Sequence, residues 1–529
     1  MKLLQHYVSE QAERRSQASA IAWKGERLSY GALEQRTNRV ARLLAGLGAE
    51  RGDRIALLLP KSPLAITAMV GTLKADCAYT PVDLKNPAPR VAQILAALES
   101  RVLLACREAS PLVEQLVREN GLGPVRVAWL DGDAPAGLPA HATLADLEAC
   151  PASAPESRNG DGDVAHILFT SGSTGVPKGV MITHANVIAF VEWAKAHFGI
   201  EPTDRCSGHS PLHFDLSTFD TYGSFAAGAE LHPVPVELNL LPHKLAQFMR
   251  DAALTQWFSV PSALNHMAKA DAIREHDFPS LRRLIWCGEA WHAAGLAHWM
   301  RRLPHVRFTN LYGPTEATIA SSWYDVPGIP EDETKPVPIG RGCAGEELLV
   351  LDEALRPAAP GETGDLYIRG VGLSPGYWRD PAKTAAAFLP NPFDGGDDRI
   401  YRTGDLARVS EGGEIVLVGR ADTQIKSRGY RIELGEIEAV LHTLATLEES
   451  AVVAVESGGI DGLAIACGYT LRPGETLEPA DLRSLLAAKL PAYMLPSRWR
   501  RFERLPLNAN GKVDRKALKE IFAATPEPK

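Results

Sequence analysis

Small hydroxylated residues and glycines run up to a lysine in ILFTSGSTGVPKG (Ile167–Gly179), the stretch of this sequence best suited to chemistry. Glycines let backbone N–H groups approach an anion closely, hydroxyls add donors, and a lysine adds positive charge. The chemistry such a loop serves is the handling of a phosphate chain. Its spacing is not that of a Walker A loop, whose glycines stand further apart and whose lysine follows a glycine. Here Gly172 and Gly175 lie close together and Lys178 follows Pro177. A flexible Ser/Gly linker is the plainer reading, but a linker rarely begins at an apolar strand and ends in Pro-Lys-Gly.

A loop of this kind needs rigid elements to aim it. RIALLLP (Arg54–Pro60) reads as a buried strand, followed by an amphipathic helix over Ser62–Ala75. Val102–Cys106, Val125–Leu130, Ala165–Thr170 and Leu281–Gly288 read as further short strands, each followed by loop or helix signals. This alternation predicts an α/β fold of layered, largely parallel sheets. Asp131–Asp163, rich in Ala, Pro, Gly and Asp, reads as a surface connection. Past residue 340 the pattern turns to antiparallel strands (Glu347–Gly370, Ile415–Gly419), the mark of a small β-barrel-like module. A second shift comes at GRADTQIKSRGYRIELGEIEAVL (Gly419–Leu441), where a helix begins near Glu433–Glu436. From there the pattern reads helix, strand, strand, helix. The expected organisation is a large domain over 1–421 and a small mobile α+β domain over 422–529, with the boundary at Asp422.

A chain of 529 residues exceeds what one hydrophobic core serves, in keeping with two domains. Its net charge of −8 argues against a nucleic-acid partner. No apolar run is long enough to span a bilayer, and the N-terminus does not read as a signal peptide. Seven dispersed cysteines, with no CxxC pair, fit a reducing cytoplasm.

TSGSTGVPKGV resembles the AMP-binding signature of the adenylate-forming superfamily of acyl-CoA synthetases, luciferases and peptide-synthetase adenylation domains. LSYGALEQRTNRVARLL, LKADCAYTPVDLKNPAPR, NLYGPTEATIASSW, GETGDLYIRGVGLSPGYW, YRTGDLAR, GRADTQIKSRGYRIELGEIE and NANGKVDRKAL resemble its other motifs in the right order, over nearly the whole chain. The resemblance implies ATP and Mg²⁺. It implies that Thr170, Ser171, Gly172, Ser173, Thr174, Gly175 and Lys178 cover the ATP phosphates. Asn310, Leu311, Tyr312 and Gly313 would bind the adenine side, with Asn310 on its amino edge and Tyr312 stacked on the ring. Thr315 and Glu316 would lie near the magnesium and the α-phosphate. Asp405 would accept hydrogen bonds from the ribose hydroxyls and Arg420 would touch the sugar. Asp422 stands at the family hinge, and Lys512 would reach the substrate carboxylate and α-phosphate.

Phe214–Asp215 resembles the Phe-Asp pair of amino-acid-activating domains, in which the aspartate pairs with the substrate ammonium. An N-cap before a helix is the other use for Asp215. Registration to the motifs lines the rest of the pocket with Leu216, Phe219, Phe258, Ile285, Cys287, Leu311, Ile319 and Ala320, and Lys512 reaches into it. That lining is apolar and narrowed by Phe219 and Phe258, which predicts a small apolar side chain. The pattern is similar to that of free-standing prolyl-activating enzymes and favours L-proline, with alanine and cysteine as alternatives. An acyl-CoA ligase is the rival enzyme. No phosphopantetheine attachment segment follows Lys512, so the thiol acceptor is expected on a discrete peptidyl carrier protein.

Overall fold

The computed structural model describes residues 2–119, 121–172, 177–332, 335–394, 398–456, 463–508 and 512–524. Two large sheets carry most of the chain. The seven-stranded sheet runs, in spatial order, Gly376–Tyr377, Lys178–Thr183, Val164–Thr170, Ala78–Pro81, Arg54–Leu58, Val102–Ala105 and Arg126–Trp129. Its last five strands pair in parallel, while Lys178–Thr183 turns back antiparallel on Val164–Thr170. The nine-stranded sheet places Arg307–Tyr312, Arg283–Trp286, Gln256–Ser259 and Arg205–Gly208 side by side and parallel at its centre. The α/β expectation is borne out.

Ser62 caps the helix Pro63–Lys74, its hydroxyl accepting from the Ala65 N–H, and Pro63 occupies the first turn, where a missing N–H is harmless. The helix is buried from Ala65 to Lys74, unlike the one-sided helix expected from its sequence. It is apolar all round because one continuous core joins Ile55 and Leu57 of the smaller sheet to Ile21 and Leu231 of the larger one.

The antiparallel module is a five-stranded sheet of Glu346–Leu351, Gly364–Gly370, Arg399–Val409, Phe388–Pro390 and Ile415–Arg420. Its inner face (Val350, Leu366, Ile368, Ala407) packs on Tyr312 and Ala317, at the end of a central strand of the large sheet. Two short strands, Gln424–Ser427 and Tyr430–Glu433, form a hairpin of their own and lead into the helix Leu434–Leu441.

The small C-terminal domain then builds a three-stranded sheet of Leu447–Glu456, Leu463–Leu471 and Arg498–Arg501, with helices Pro479–Ala487 and Arg515–Ala523. The helix–strand–strand–helix expectation therefore omitted a strand and a helix. Arg498–Arg501 reads RWRR, with no apolar alternation to mark it, and joins the sheet as a parallel edge strand beside Leu463–Leu471.

Candidate active site

The central parallel strands of the large sheet end together, the position at which open α/β sheets bind ligands. Arg205–Gly208 leads into the loop that carries Phe214 and Asp215, and Arg307–Tyr312 leads into Gly313–Ala320. At Gly313 the chain passes itself closely: a Cβ there would lie 2.5 Å from the Ala320 Cα. Thr318 and Ile319 both take positive φ, 55° and 69°, an unfavourable conformation for a β-branched residue. Such backbone persists where surrounding packing over-determines it, and functional sites are where it collects.

That turn wraps a dry cluster. Leu216, Phe219, Phe258, Ile285, Cys287, Leu311, Ile319 and Ala320, separated in sequence by up to 104 residues, are all buried in one hydrophobic group. The Phe219 ring meets those of Phe258 and Phe190 edge-on, each with centroids 5.4 Å apart. The Cys287 thiol faces the Ile319 carbonyl at 3.8 Å.

Asp215 borders this cluster and is 8 % exposed. Its side chain does not cap the short helix Leu216–Thr218. It accepts instead from the Thr315 hydroxyl at 2.7 Å. Burial pushes its carboxyl up to about 6, against the pull of the Thr315 hydroxyl and the Leu216 N–H. Phe214 packs edge-on against Tyr430 of the hairpin, 5.1 Å between centroids.

One residue beyond Thr315, Glu316 is fully buried and surrounded by donors. Arg431 Nη1 reaches its two oxygens at 2.9 and 2.7 Å, the Tyr377 hydroxyl donates at 2.8 Å, and Lys178 Nζ lies 3.3 Å away. Burial alone would raise its carboxyl, but Arg431 and then Lys178 hold it well below the usual range. Lys178 is itself lowered by burial, with Glu316 acting the other way, and its ammonium sits 4.6 Å over the Tyr377 ring. A carboxylate so saturated with cations does not fit a magnesium ion in this arrangement.

Toward the antiparallel module, Asp405 accepts from the Tyr312 hydroxyl at 2.5 Å and from Arg420 at 2.7 Å. The ribose acceptor expected from sequence thus has both oxygens engaged within the protein. Arg420 also forks onto Asp422, at 2.8 and 2.6 Å. Lys426 lies 5.4 Å over the Tyr312 ring, on the residue expected to stack on adenine. The Asn310 amide donates to the Pro338 carbonyl at 2.8 Å.

At the phosphate loop, Thr170 pairs across the strands with Lys178, and its buried hydroxyl finds no partner among the described residues. Ser171 donates to the Arg431 carbonyl at 2.8 Å and the Gly172 N–H to Glu436 at 3.2 Å. Ser173, Thr174 and Gly175 lie outside the described residues.

Lys512 is not brought to this cluster. Its side chain is exposed, and its N–H donates to Asn508 Oδ1 at 3.1 Å. The small domain turns its hairpin, not the segment around Lys512, toward Glu316. Arg431, Tyr377, Arg90 and Glu436 escaped the sequence reading. Arg431 and Glu436 stand in GYRIELGEIE, where an arginine among acids was the available signal, but nothing local names their partners.

The profile of the AMP-binding enzyme family matches residues 8–378, and that of the AMP-binding enzyme C-terminal domain matches residues 436–512. The chain belongs to the AMP-binding enzyme family. It is 34% identical over 521 residues to the L-proline--[L-prolyl-carrier protein] ligase of Pseudomonas fluorescens, covering 98% of this chain and 99% of that protein. It is also 34% identical over 524 residues to gramicidin S synthase 2 of Brevibacillus brevis, covering 98% of this chain but only 11% of that longer protein. Among solved structures, the Vibrio cholerae adenylation domain AlmE, in complex with glycyl-adenosine-5′-phosphate, superposes with a TM-score of 0.84 at 25% identity, covering 99% of this chain and 98% of that one.

Proposed function

We propose that this enzyme is an AMP-forming ligase that activates a small apolar amino acid, L-proline by preference, and passes it to the phosphopantetheine thiol of a discrete carrier protein. The observation that carries this reading is Asp215, a buried carboxylate at the edge of an apolar cluster, hydrogen-bonded to Thr315 but with no salt-bridge partner among the described residues, and with Lys426 acting on it only from a distance. An α-ammonium supplies the missing counter-ion, and the apolar cluster takes a side chain with no charge of its own. The full-length relative named as a prolyl-carrier-protein ligase supports both proline and the separate carrier.

In the first step the amino-acid carboxylate attacks the α-phosphorus of ATP and the bond to pyrophosphate breaks. Two anions meet there, so positioned positive charge supplies most of the catalysis. Thr170, Ser171, Gly172 and Lys178 hold the β- and γ-phosphates, and Lys512 swings in to the substrate carboxylate and α-phosphate. Tyr312, Asn310 and Asp405 hold the nucleoside. A magnesium ion accompanying the nucleotide would use Glu316 only after Arg431 has left it. In the second step the thiol attacks the aminoacyl carbonyl and AMP leaves. The small domain turns about Asp422 between the two steps, and the arrangement described here is the one with Lys512 withdrawn. All seven cysteines are free thiols, which suits a reducing cytoplasm, and none of the described helices is long and apolar enough to cross a membrane.

ATP–pyrophosphate exchange across the twenty amino acids tests the reading, with proline expected to give the fastest exchange. Exchange only with fatty or aryl acids would turn the assignment toward an acyl-CoA ligase. Exchange with no acid would remove the enzymatic reading altogether.

A further inference from the structure

The turn at Thr318–Ile319 is held from outside the apolar cluster as well as from within it. Behind it runs the segment Gly370–Ser374, fastened to three parts of the large domain. The Asn186 amide donates to the Val371 and Leu373 carbonyls at 2.7 and 3.2 Å. The Ser374 hydroxyl donates to the Met181 carbonyl at 2.6 Å, and its N–H to the Glu316 carbonyl at 2.9 Å. In the middle of this segment Gly372 is engaged on both sides. Its carbonyl accepts from the Thr318 hydroxyl at 2.6 Å, and its N–H donates to Glu346 Oε1 at 2.5 Å. A Cβ at Gly372 would lie 2.7 Å from Glu346 Oε1 and 2.9 Å from the Ala317 carbonyl, so carboxyl, segment and turn meet with no side chain between them.

Glu346 opens the strand Glu346–Leu351 and is mostly buried. Its Oε2 is enclosed and has no hydrogen-bond partner among the described residues. Burial pushes its carboxyl up to about 8, with the Gly372 N–H acting the other way. At neutral pH the side chain is therefore mainly a neutral acid, which a glutamine imitates in size and in its carbonyl oxygen. Withdrawing an acid from water without a counter-ion is unfavourable, and the hydrogen bond gained in return goes to the segment that holds the turn.

We propose that Glu346 is a specificity-positioning residue: through Gly372 it fixes Thr318 and Ile319 in their left-handed conformation, and so keeps the Ile319 side chain in the cluster that limits substrate size. This rests on the reading that the apolar cluster receives the amino-acid side chain. Left-handed backbone at two β-branched residues persists only where its surroundings over-determine it. Freed of that restraint, the turn relaxes toward negative φ, and the rotation moves the Ile319 side chain and widens the site. Glu346 touches no reacting atom and acts through Gly372.

The test is amino-acid selectivity in the full chain, measured by ATP–pyrophosphate exchange. It is read as kcat/KM for leucine over kcat/KM for the amino acid that the wild type prefers. Glu346→Ala should raise that ratio about tenfold, the scale of a small change in an apolar pocket, with the KM for ATP unchanged. Glu346→Gln keeps the reach to Gly372 and should retain the wild-type ratio. Glu346→Asp keeps the acid but falls a methylene short, so it should lose selectivity as Glu346→Ala does. It decides the matter if Glu346→Ala does not fold. A role in stability alone would lower kcat/KM for every amino acid alike and leave the ratio unmoved. An unmoved ratio in Glu346→Ala or Glu346→Asp overturns the proposal, as does a Glu346→Gln enzyme that loses selectivity as fully as they do. In either case normal wild-type exchange shows that only this inference has failed. If the wild-type protein exchanges with no amino acid, the functional reading fails and this inference with it.

Discussion

Asp215 and Glu316 are both buried carboxylates, tied together through Thr315, yet their charge states are pushed in opposite directions. Asp215 is raised to about 6 by burial, against a hydroxyl, an N–H and the more distant charge of Lys426, with no salt bridge to it among the described residues. Glu316, more deeply buried, is held low because Arg431 and Lys178 stand against it. Burial is common to the two, and the supply of cations is what differs. Asp215, with no salt bridge among the described residues, is the one of the two that an added cation would stabilise. A site that has too many is ready to release one.

The largest effect should come from a cation absent from both regions. Lys512→Ala should slow adenylation by about 10²–10⁴-fold with an unchanged melting curve, on the scale of other preorganised charge donors. Normal pyrophosphate exchange in that variant would remove Lys512 from the chemistry.

Asp215→Ala should follow. Losing one partner of a buried ion pair costs about 3–5 kcal/mol, so amino-acid activation should fall by roughly 10²-fold to 4 × 10³-fold with little change in the KM for ATP. Equal losses for both substrates would mean that Asp215 serves the fold and not the ammonium.

Stability should separate the two carboxylates by sign. Glu316→Gln strands Arg431 and Lys178 and should lose about 3–5 kcal/mol in denaturant titration. Asp215→Asn, in the ligand-free protein at pH 8, should gain about 1–3 kcal/mol by removing an unpaired buried charge. A shared direction would end the contrast.

The same contrast sets a pH dependence. Between its ordinary 3.8 and about 6, native Asp215 keeps a proton that the unfolded chain has released. Its penalty on stability is therefore complete above about 6 and is relieved as the pH falls through that window. Glu316, depressed, works the other way: its contribution is present above its ordinary 4.5 and is lost as the pH falls toward its lower folded value. The KM for the amino acid should accordingly rise as the pH drops below about 6, and that limb should vanish in Asp215→Asn. The smallest effect is expected from Phe258→Ala, which should shift preference toward bulkier side chains by roughly 10–100-fold in kcat/KM ratio.

The apolar cluster was legible in the sequence because its residues lie beside motifs: Phe219 follows Phe214–Asp215, and Ile319 and Ala320 follow Thr315–Glu316. The α/β layers were legible because apolar strands alternate with turn signals. The charge network was not. Arg431 stands 115 residues from Glu316 and Arg90 stands 346 from Glu436, so only the folded chain pairs them. Arg498–Arg501 was missed because an edge strand of arginines carries no alternating pattern.

The backbone at Gly313 and Thr318–Ile319 has a consequence for changing which acid this enzyme takes. On the proposed reading, one side of the apolar cluster, Phe219 and Phe258, is built from side chains on regular elements and can be rewritten letter by letter. The part contributed by Gly313–Ala320 is a fold of the main chain, closed by a 2.5 Å clearance at Gly313 and two residues in left-handed conformation. Directed libraries should find their new specificities at Phe219 and Phe258 and their dead clones at Gly313, Thr318 and Ile319.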